Sequence, residues 1–300
     1  MTNAELISND SVVGTKPHGT IDAAGFTDVG RARPINEDAY LIATLQRSMV
    51  VHDASPEAAR GWLSGGAAGT LLMVADGMGG QGGGDVASRV AVNAVTSYLL
   101  NVMAWPTAPA GAPAANENPS SPGVSEQLSC ALVVGDSTVK TTAVQTATPR
   151  MGTTLTMALV LWPTLYVAHV GDTRCYLLRS GQLKRLTTDH TLAQKVLENA
   201  REPVDVASQL HHTLWNSLGG SAELPKPEIA KLELELGDVL LLCSDGLTKH
   251  VTDEEIGAVL SADATNAARC AKFVERANAG GGSDNVTVVV ATARSTPHVL

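Results

Sequence analysis

Carboxylates stand beside glycine or other turn-forming residues at seven places in this chain: Asn36-Glu37-Asp38, Asp76-Gly77-Met78-Gly79-Gly80, Gly171-Asp172, Thr188-Asp189-His190, Gly237-Asp238, Ser244-Asp245-Gly246 and Ser283-Asp284-Asn285. Several abut apolar runs, Leu71 to Ala75 and Val239 to Cys243 among them, which places the acids at strand ends. Carboxylates that converge from distant parts of a chain, with no matching basic residues, repel one another unless a cation holds them. Oxygen ligands of this kind suit hard divalent ions, Mg²⁺ or Mn²⁺, rather than zinc. The chemistry expected first is hydrolysis at a two-metal centre.

The acids belong to longer motifs in a fixed order. These are Arg31-Ala32-Arg33-Pro34-Ile35-Asn36-Glu37-Asp38, Val74-Ala75-Asp76-Gly77-Met78-Gly79-Gly80, Met151-Gly152-Thr153-Thr154, His169-Val170-Gly171-Asp172-Thr173-Arg174, Leu186-Thr187-Thr188-Asp189-His190, Cys243-Ser244-Asp245-Gly246-Leu247 and Gly282-Ser283-Asp284-Asn285. From about residue 24 to 292 the chain resembles the type 2C family of metal-dependent protein serine/threonine phosphatases, in its bacterial form. The resemblance implies an α+β fold, a four-layer α-β-β-α sandwich. Two packed antiparallel sheets would carry a helical layer on each outer side, with a dimetal site at one end.

Residue roles follow from the same resemblance. Asp76 would bridge both metals and Gly77 would offer its carbonyl. The residues themselves agree, since an apolar run sets Asp76 at a strand tip and the glycines after it let backbone approach an ion. Asp245 and Asp284 match the ligands of the first metal, and Glu37 and Asp38 the carboxylates that hold the second metal's waters. Arg33, five residues before Asp38, matches the guanidinium that grips the substrate phosphate, and a planar fork suits two phosphate oxygens. Arg31 competes for that role on spacing. Asp172 with Asp245 matches a third ion's site, where an acid often stands four positions after the second aspartate; here Lys249 stands there, and its charge is expected to make that third metal weak.

The implied activity is hydrolysis of phosphoserine and phosphothreonine by direct attack of a metal-bridging hydroxide, with two Mn²⁺ or Mg²⁺ as cofactors. Arg33, Asp76 and Asp245 are its expected catalytic residues. Partners would be phosphorylated proteins, a Ser/Thr kinase or its targets. The alternative is a catalytically weak phosphatase-like signalling regulator that binds a partner protein. Such a regulator is expected to have lost one of Asp76, Asp245 or Asp284, and all are present. Met78 stands where many relatives have histidine, and Gln81 where bacterial ones often do. Asn285 is read as fixing its turn, His169 and His190 as structural, and His211-His212 as solvated.

Composition narrows the setting. A net charge of -9 argues against a nucleic-acid or anionic-membrane surface. Cys130, Cys175, Cys243 and Cys270 show no zinc spacing and read as reduced thiols, which fits the cytoplasm. The first residues lack the charged start and apolar core of a signal peptide. The apolar stretch from Leu155 to Val170 is broken by Trp162-Pro163-Thr164 and reads as a hairpin rather than a membrane span. A cytoplasmic monomer is expected.

The elements that must position the acids are short and β-branched. Strands are expected over 40–51, 71–75, 153–161, 165–170, 175–179, 229–236, 238–243 and 286–293. Helices are expected over 85–103, with Val86, Val90, Ala94 and Tyr98 on its apolar face, and over 126–144. Two more are expected, one opened by a capping box from Thr252 to Glu255 and one over 266–279 ending at Gly280. Residues 1–20 read as a disordered N-terminal arm and 21–296 as a single phosphatase domain, with a flexible Pro/Ala-rich loop at 105–123.

Overall fold

Alternation along one apolar run sets up the layers. In the computed structural model of this chain the described residues are 19–51, 61–79, 83–103, 123–200, 206–220 and 223–295, side chains of 47–51, 61–68 and 208 excepted. Strand β3 (Gly61–Met78) contains Leu71 to Ala75, all buried. Leu71, Met73 and Ala75 pack into a cluster shared with two helices, whereas Leu72 and Val74 pack into a cluster shared with a second sheet. A period of two with both faces apolar is what a strand buried on both sides requires.

The first sheet has seven strands. Its order is β10 (Glu228–Glu233), β6 (Thr164–Val170), β5 (Leu155–Leu161), β3, β4 (Gly152–Thr153) and β9 (Leu218–Gly219), and β2 (Asp38–Val51) also pairs with β3. The second has five, in the order β1 (Gly19–Asp28), β12 (Val286–Ser295), β11 (Val239–Cys243), β7 (Arg174–Arg179) and β8 (Gln182–Arg185). All these pairings are antiparallel. Ala158, Val160 and Val167 of the first sheet meet Leu177, Leu240, Leu242 and Val289 of the second between the layers.

Helices α1 (Gly84–Asn101) and α2 (Val124–Gln145) cover the outer face of the seven-stranded sheet through Ala91, Val95, Leu99, Leu128 and Leu132. On the other side lie α4 (Asp245–Thr248), α5 (Asp253–Ser261) and α6 (Asn266–Ala279), which bury Leu247, Ile256, Leu260, Phe273 and Ala277 against the five-stranded sheet. The four layers are those expected. Thr252 caps α5 in a reciprocal box with Glu255, and α6 ends at Gly280, both as the sequence predicts.

Other expectations need correction. The deeply buried stripe of α1 is Ala87, Ala91, Val95 and Leu99, while Val86, Val90 and Tyr98 lie at its margin. The small Ala87 and Ala91 let the first turns of the helix approach the sheet closely, so the bulkier Val86 and Val90 mark the flank there. Strand 153–161 is interrupted at Thr154, whose polar groups serve Asp76 instead. Strands β1, β8 and β9 and helix α3 (Leu192–Asn199) are absent from the sequence reading. Gly19–Asp28 carries two glycines and two aspartates, poor strand formers, and is ordered by pairing along its whole length with β12. Most of the proposed N-terminal arm, nearly all of the 105–123 loop and Gln81 lie outside the described residues. Among the described residues no helix is long and apolar enough to cross a membrane.

Candidate metal centre

The β2–β3 register places Asp38 opposite Asp76 at the mouth of the sheet. Asp76 is fixed through its backbone: its N–H donates to Thr154 Oγ1 at 3.0 Å, and its carbonyl accepts from the Thr154 N–H at 2.9 Å and Thr153 Oγ1 at 2.8 Å. That explains the Met151-Gly-Thr-Thr154 motif. Gly77 follows because nothing larger fits, a Cβ there lying 2.0 Å from the Gly84 carbonyl oxygen. Glu37 then reaches the start of α1, where its Oε1 accepts from the Gly84 N–H at 3.2 Å.

The second sheet supplies the other half. Ser244, at the end of β11, donates from Oγ to Asp38 Oδ2 at 2.8 Å and accepts from the Thr287 N–H at 3.0 Å. Asp245 opens α4, and Asp284 stands two residues before β12. Asn285 fixes its turn as expected: Oδ1 accepts the Glu37 N–H, and Nδ2 donates to the carbonyls of Val29 and Ile35, each at 2.9 Å. One side chain thereby ties the β1–β2 connection, which carries Arg33, to the strand that follows Asp284.

An open cavity of about 560 Å³ results, lined by Arg33, Glu37, Asp76, Gly77, Asp172, Asp245 and Asp284. Asp38 sits beside it on Ser244. Every residue singled out as catalytic or metal-ligating is thus brought together. Asp189 and Asp238 are not. Asp189 accepts from Arg174 at 2.6 Å and Asp238 from Arg179 at 2.6 Å, so the expectation that the acids lack basic partners holds for only part of the set.

Burial, then neighbouring acids, perturb the cluster. Burial pushes Asp38 up to about 7, against hydrogen bonds from Thr287 and Ser244, and Asp245 and Asp284 raise it further. Asp172 is also pushed up to about 7, by burial and then by Asp245, with Lys249 opposing. Asp76 rises well above the carboxylate range through burial and then the charge of Asp38. Asp284 moves the other way: burial would raise it, but hydrogen bonds from Lys249 and Arg33 hold it below its ordinary value. Asp38 Oδ1 and Asp245 Oδ1 are buried with no hydrogen-bond partner. Oxygens left that way are costly unless a cation takes them, so the donor set fits hard divalent ions.

Lys249 is the main surprise. Its Nζ lies 2.6 Å from Asp245 Oδ2 and 2.7 Å from Asp284 Oδ2, on the pair matched to the first metal rather than only near Asp172. Ser244, Thr154 and His212 were not singled out by the sequence for this site. Ser244 adjoins Asp245 in the chain and Thr154 ends a noted motif, but nothing near His212 marks it as lining the cavity. The sequence reading of His212 as solvated therefore misses its place on the cavity wall.

His169, His190 and Glu228 also approach one another closely enough to hold a metal. Hydrogen bonds argue for structure instead. His169 Nδ1 lies 2.7 Å from Thr156 Oγ1 and its Nε2 3.0 Å from the Thr188 carbonyl. His190 Nδ1 meets the Gly171 N–H and Asn216 Nδ2 at 3.1 and 2.9 Å. Burial lowers both rings, His169 to about 3 and His190 to about 4, so they stay neutral and anchor the segment beginning at Thr191.

Comparison with known proteins is consistent with this geometry. A family model described as Protein phosphatase 2C matches residues 53–279. The serine/threonine protein phosphatase PstP of Mycobacterium tuberculosis is 34% identical over 225 residues, 74% of this chain. That match spans only 40% of the relative's length. Protein phosphatase PhpP of Streptococcus pneumoniae is 30% identical over 268 residues, 88% of this chain and 94% of that one. Among solved structures, the catalytic domain of PstP in complex with two manganese ions superposes with a TM-score of 0.69 at 30% identity, covering 92% of this chain and all of that one.

Proposed function

The chain belongs to the protein phosphatase 2C family, and from that premise we infer that it hydrolyses phosphoserine and phosphothreonine on proteins at a two-metal centre. The observation that carries this reading is the pair of buried, unpartnered oxygens, Asp38 Oδ1 and Asp245 Oδ1, beside a cavity lined with acids from both sheets. Asp76, Asp245 and Asp284 would hold one Mn²⁺ or Mg²⁺, and Asp76, the Gly77 carbonyl, Glu37 and Asp38 the other. When bound, such ions supply a water of lowered pKa as nucleophile and offset charge on the phosphoryl oxygens.

The chain's own residues orient the substrate. Arg33, with its side chain 47% exposed at the rim, presents the fork that a phosphate dianion needs, and its pairing with Asp284 aims it across the cavity. Its charge is secured chiefly by the Asp284 hydrogen bond. Asn285 keeps that fork and Glu37 in register through backbone hydrogen bonds. Asp172 would contribute to a third, weak ion. In this reading residues 21–296 act as one domain in signal transduction, on a Ser/Thr kinase or its targets. The free cysteines, of which Cys175, Cys243 and Cys270 are buried, suit a cytoplasmic setting.

The test is direct. Purified protein is expected to hydrolyse p-nitrophenyl phosphate and a phosphothreonine peptide with Mn²⁺ and to stop on addition of EDTA. Full activity in EDTA would refute the metal-dependent reading.

A further inference from the structure

The cations around the cavity are distributed unevenly. Asp284 receives Lys249 Nζ at 2.7 Å and both Arg33 Nε and one terminal guanidinium nitrogen at 2.8 Å, and Asp245 receives Lys249 at 2.6 Å. Among the described residues no ion pair reaches Asp38, Asp76 or Asp172. Asp245 and Asp284 are therefore neutralised by the chain itself, and the other acids of the cluster are not.

We propose that Lys249 is an internal cation that competes with the ion bound by Asp245 and Asp284, so that the two metal positions load unequally and this one fills last. The inference rests on the two-metal reading above. The position on Asp38, Asp76, Glu37 and the Gly77 carbonyl displaces no protein charge when it fills. At the Asp245–Asp284 position the ammonium already makes two charge-assisted contacts, which an incoming ion must break.

Two features of the chain equip Lys249 for this. It stands four residues after Asp245 across the short helix α4, so the two side chains share one face and the ammonium stays within reach of its carboxylate. Its aliphatic stem is flexible, and the side chain is 23% exposed, which leaves it a way out towards the open cavity. Arg33 contacts only Asp284 of this pair, so Lys249 alone spans both ligands. The consequence is regulatory: turnover becomes steeply dependent on free metal over the range in which the second ion displaces the lysine.

Calorimetric titration of the chelator-stripped full chain with Mn²⁺ tests the idea without reference to activity. Wild-type protein should show a tight and a weak event from the two-metal centre, and an Asp172→Ala control, which removes the third ion's site, should keep both. Lys249→Met should tighten the weak event by about tenfold or more and leave the tight one unchanged, whereas Lys249→Arg, which keeps the charge, should retain a weak second event. Melting temperature separates this from a structural lysine. Lys249→Met should melt lower than wild type in EDTA, where Asp245 and Asp284 lose their counter-charge, but not in saturating Mn²⁺; a structural lysine would lower both. Lys249→Gln serves if the methionine variant does not fold. Two wild-type events of equal affinity, no Mn²⁺ binding at all, or unchanged affinities in Lys249→Met would overturn the proposal. A wild-type protein that binds two ions unequally but cleaves no phosphoester at saturation would instead sink the phosphatase reading and leave unequal loading standing.

Discussion

Strand β11 carries an aspartate just outside each end, and the two behave in opposite ways. Asp238, before Val239, is 2% exposed, and both its oxygens are filled: Arg179 donates to Oδ1 at 2.9 Å and to Oδ2 at 2.6 Å, and the Glu235 N–H donates to Oδ2 at 2.8 Å. Asp245, after Ser244, keeps a buried Oδ1 with no partner, and Asp38 beside it does the same. In sequence both ends read as a small residue and an aspartate next to Val-Leu-Leu-Leu-Cys. An acid with both oxygens filled holds a turn together; one that keeps an oxygen open, as Asp245 does although Lys249 takes its Oδ2, is left able to receive a metal. The difference lies in the partner, which the local motif does not encode.

Exchanging the two acids for amides should separate their roles most widely. Asp245→Asn is expected to cut Mn²⁺-dependent turnover by at least about a hundredfold, since it removes one of the proposed metal ligands. Asp238→Asn should leave turnover of the folded enzyme unchanged and lower stability by about 1–3 kcal/mol, the cost of breaking a buried charge-assisted network. Urea titration and steady-state kinetics on both variants read the contrast. A catalytic loss in Asp238→Asn as large as in Asp245→Asn would erase it.

The next largest effect is on pH dependence. Asp38 and Asp172, raised to about 7, hold protons in the folded chain that the unfolded chain releases near 4. With metal chelated, stability should therefore fall as pH rises from about 4 to about 7. Asp284, held below its ordinary value, acts in the opposite sense: its contribution is present above the unfolded pKa and lost as pH falls through the lowered folded one. Urea midpoints in EDTA should decline across the upper window, Asp38→Asn should flatten the decline, and Asp238→Asn should leave it in place. A flat profile for the wild type would show that the unfilled acids are not protonated as described.

Arg33 gives the smallest expected change. Arg33→Ala should raise KM for a phosphopeptide roughly tenfold, the worth of a charge-assisted fork, and shift Mn²⁺ affinity far less. A larger KM effect from Arg31→Ala would move the phosphate grip to that residue.

Much of this site could be read from the sequence because its acids sit next to strongly patterned strands. Leu71 to Ala75 and Val239 to Cys243 announce themselves by continuous burial, and the residues that end them inherit a position. Ser283-Asp284-Asn285 is legible because it opens the apolar strand from Val286, and the turn expected of Asn285 is the one its amide holds through three backbone groups. Strand β1 was not, since its order comes from a partner hundreds of residues away rather than from its own composition. Lys249 stands out in the sequence for its charge, yet its direction is set by an i,i+4 relation between the first residue and the C-cap of a four-residue helix that no periodicity reveals. His212 reaches the cavity from a short turn, next to a segment tied back by hydrogen bonds from the Trp215 N–H to the His190 carbonyl and from the Leu192 N–H to the Thr213 carbonyl, long-range contacts that no local pattern signals.

Strand β12 lies between β1 and β11, matched to β1 from Gly19↔Ser295 to Asp28↔Val286. On a ribosome, β1, β2 and β3 emerge with Asp38 and Asp76 long before the strand that seats β1 exists. Closing so long a loop is entropically slow, and contacts of this range delay folding. The centre is accordingly among the last parts of the molecule to be assembled. A stalled or clipped chain lacking the 284–295 segment keeps Glu37, Asp38, Asp76, Asp172 and Asp245 but loses Asp284, the Asn285 amide that holds Glu37 and the strand that seats β1, so a nascent fragment is expected to stay chemically silent until synthesis has passed β12.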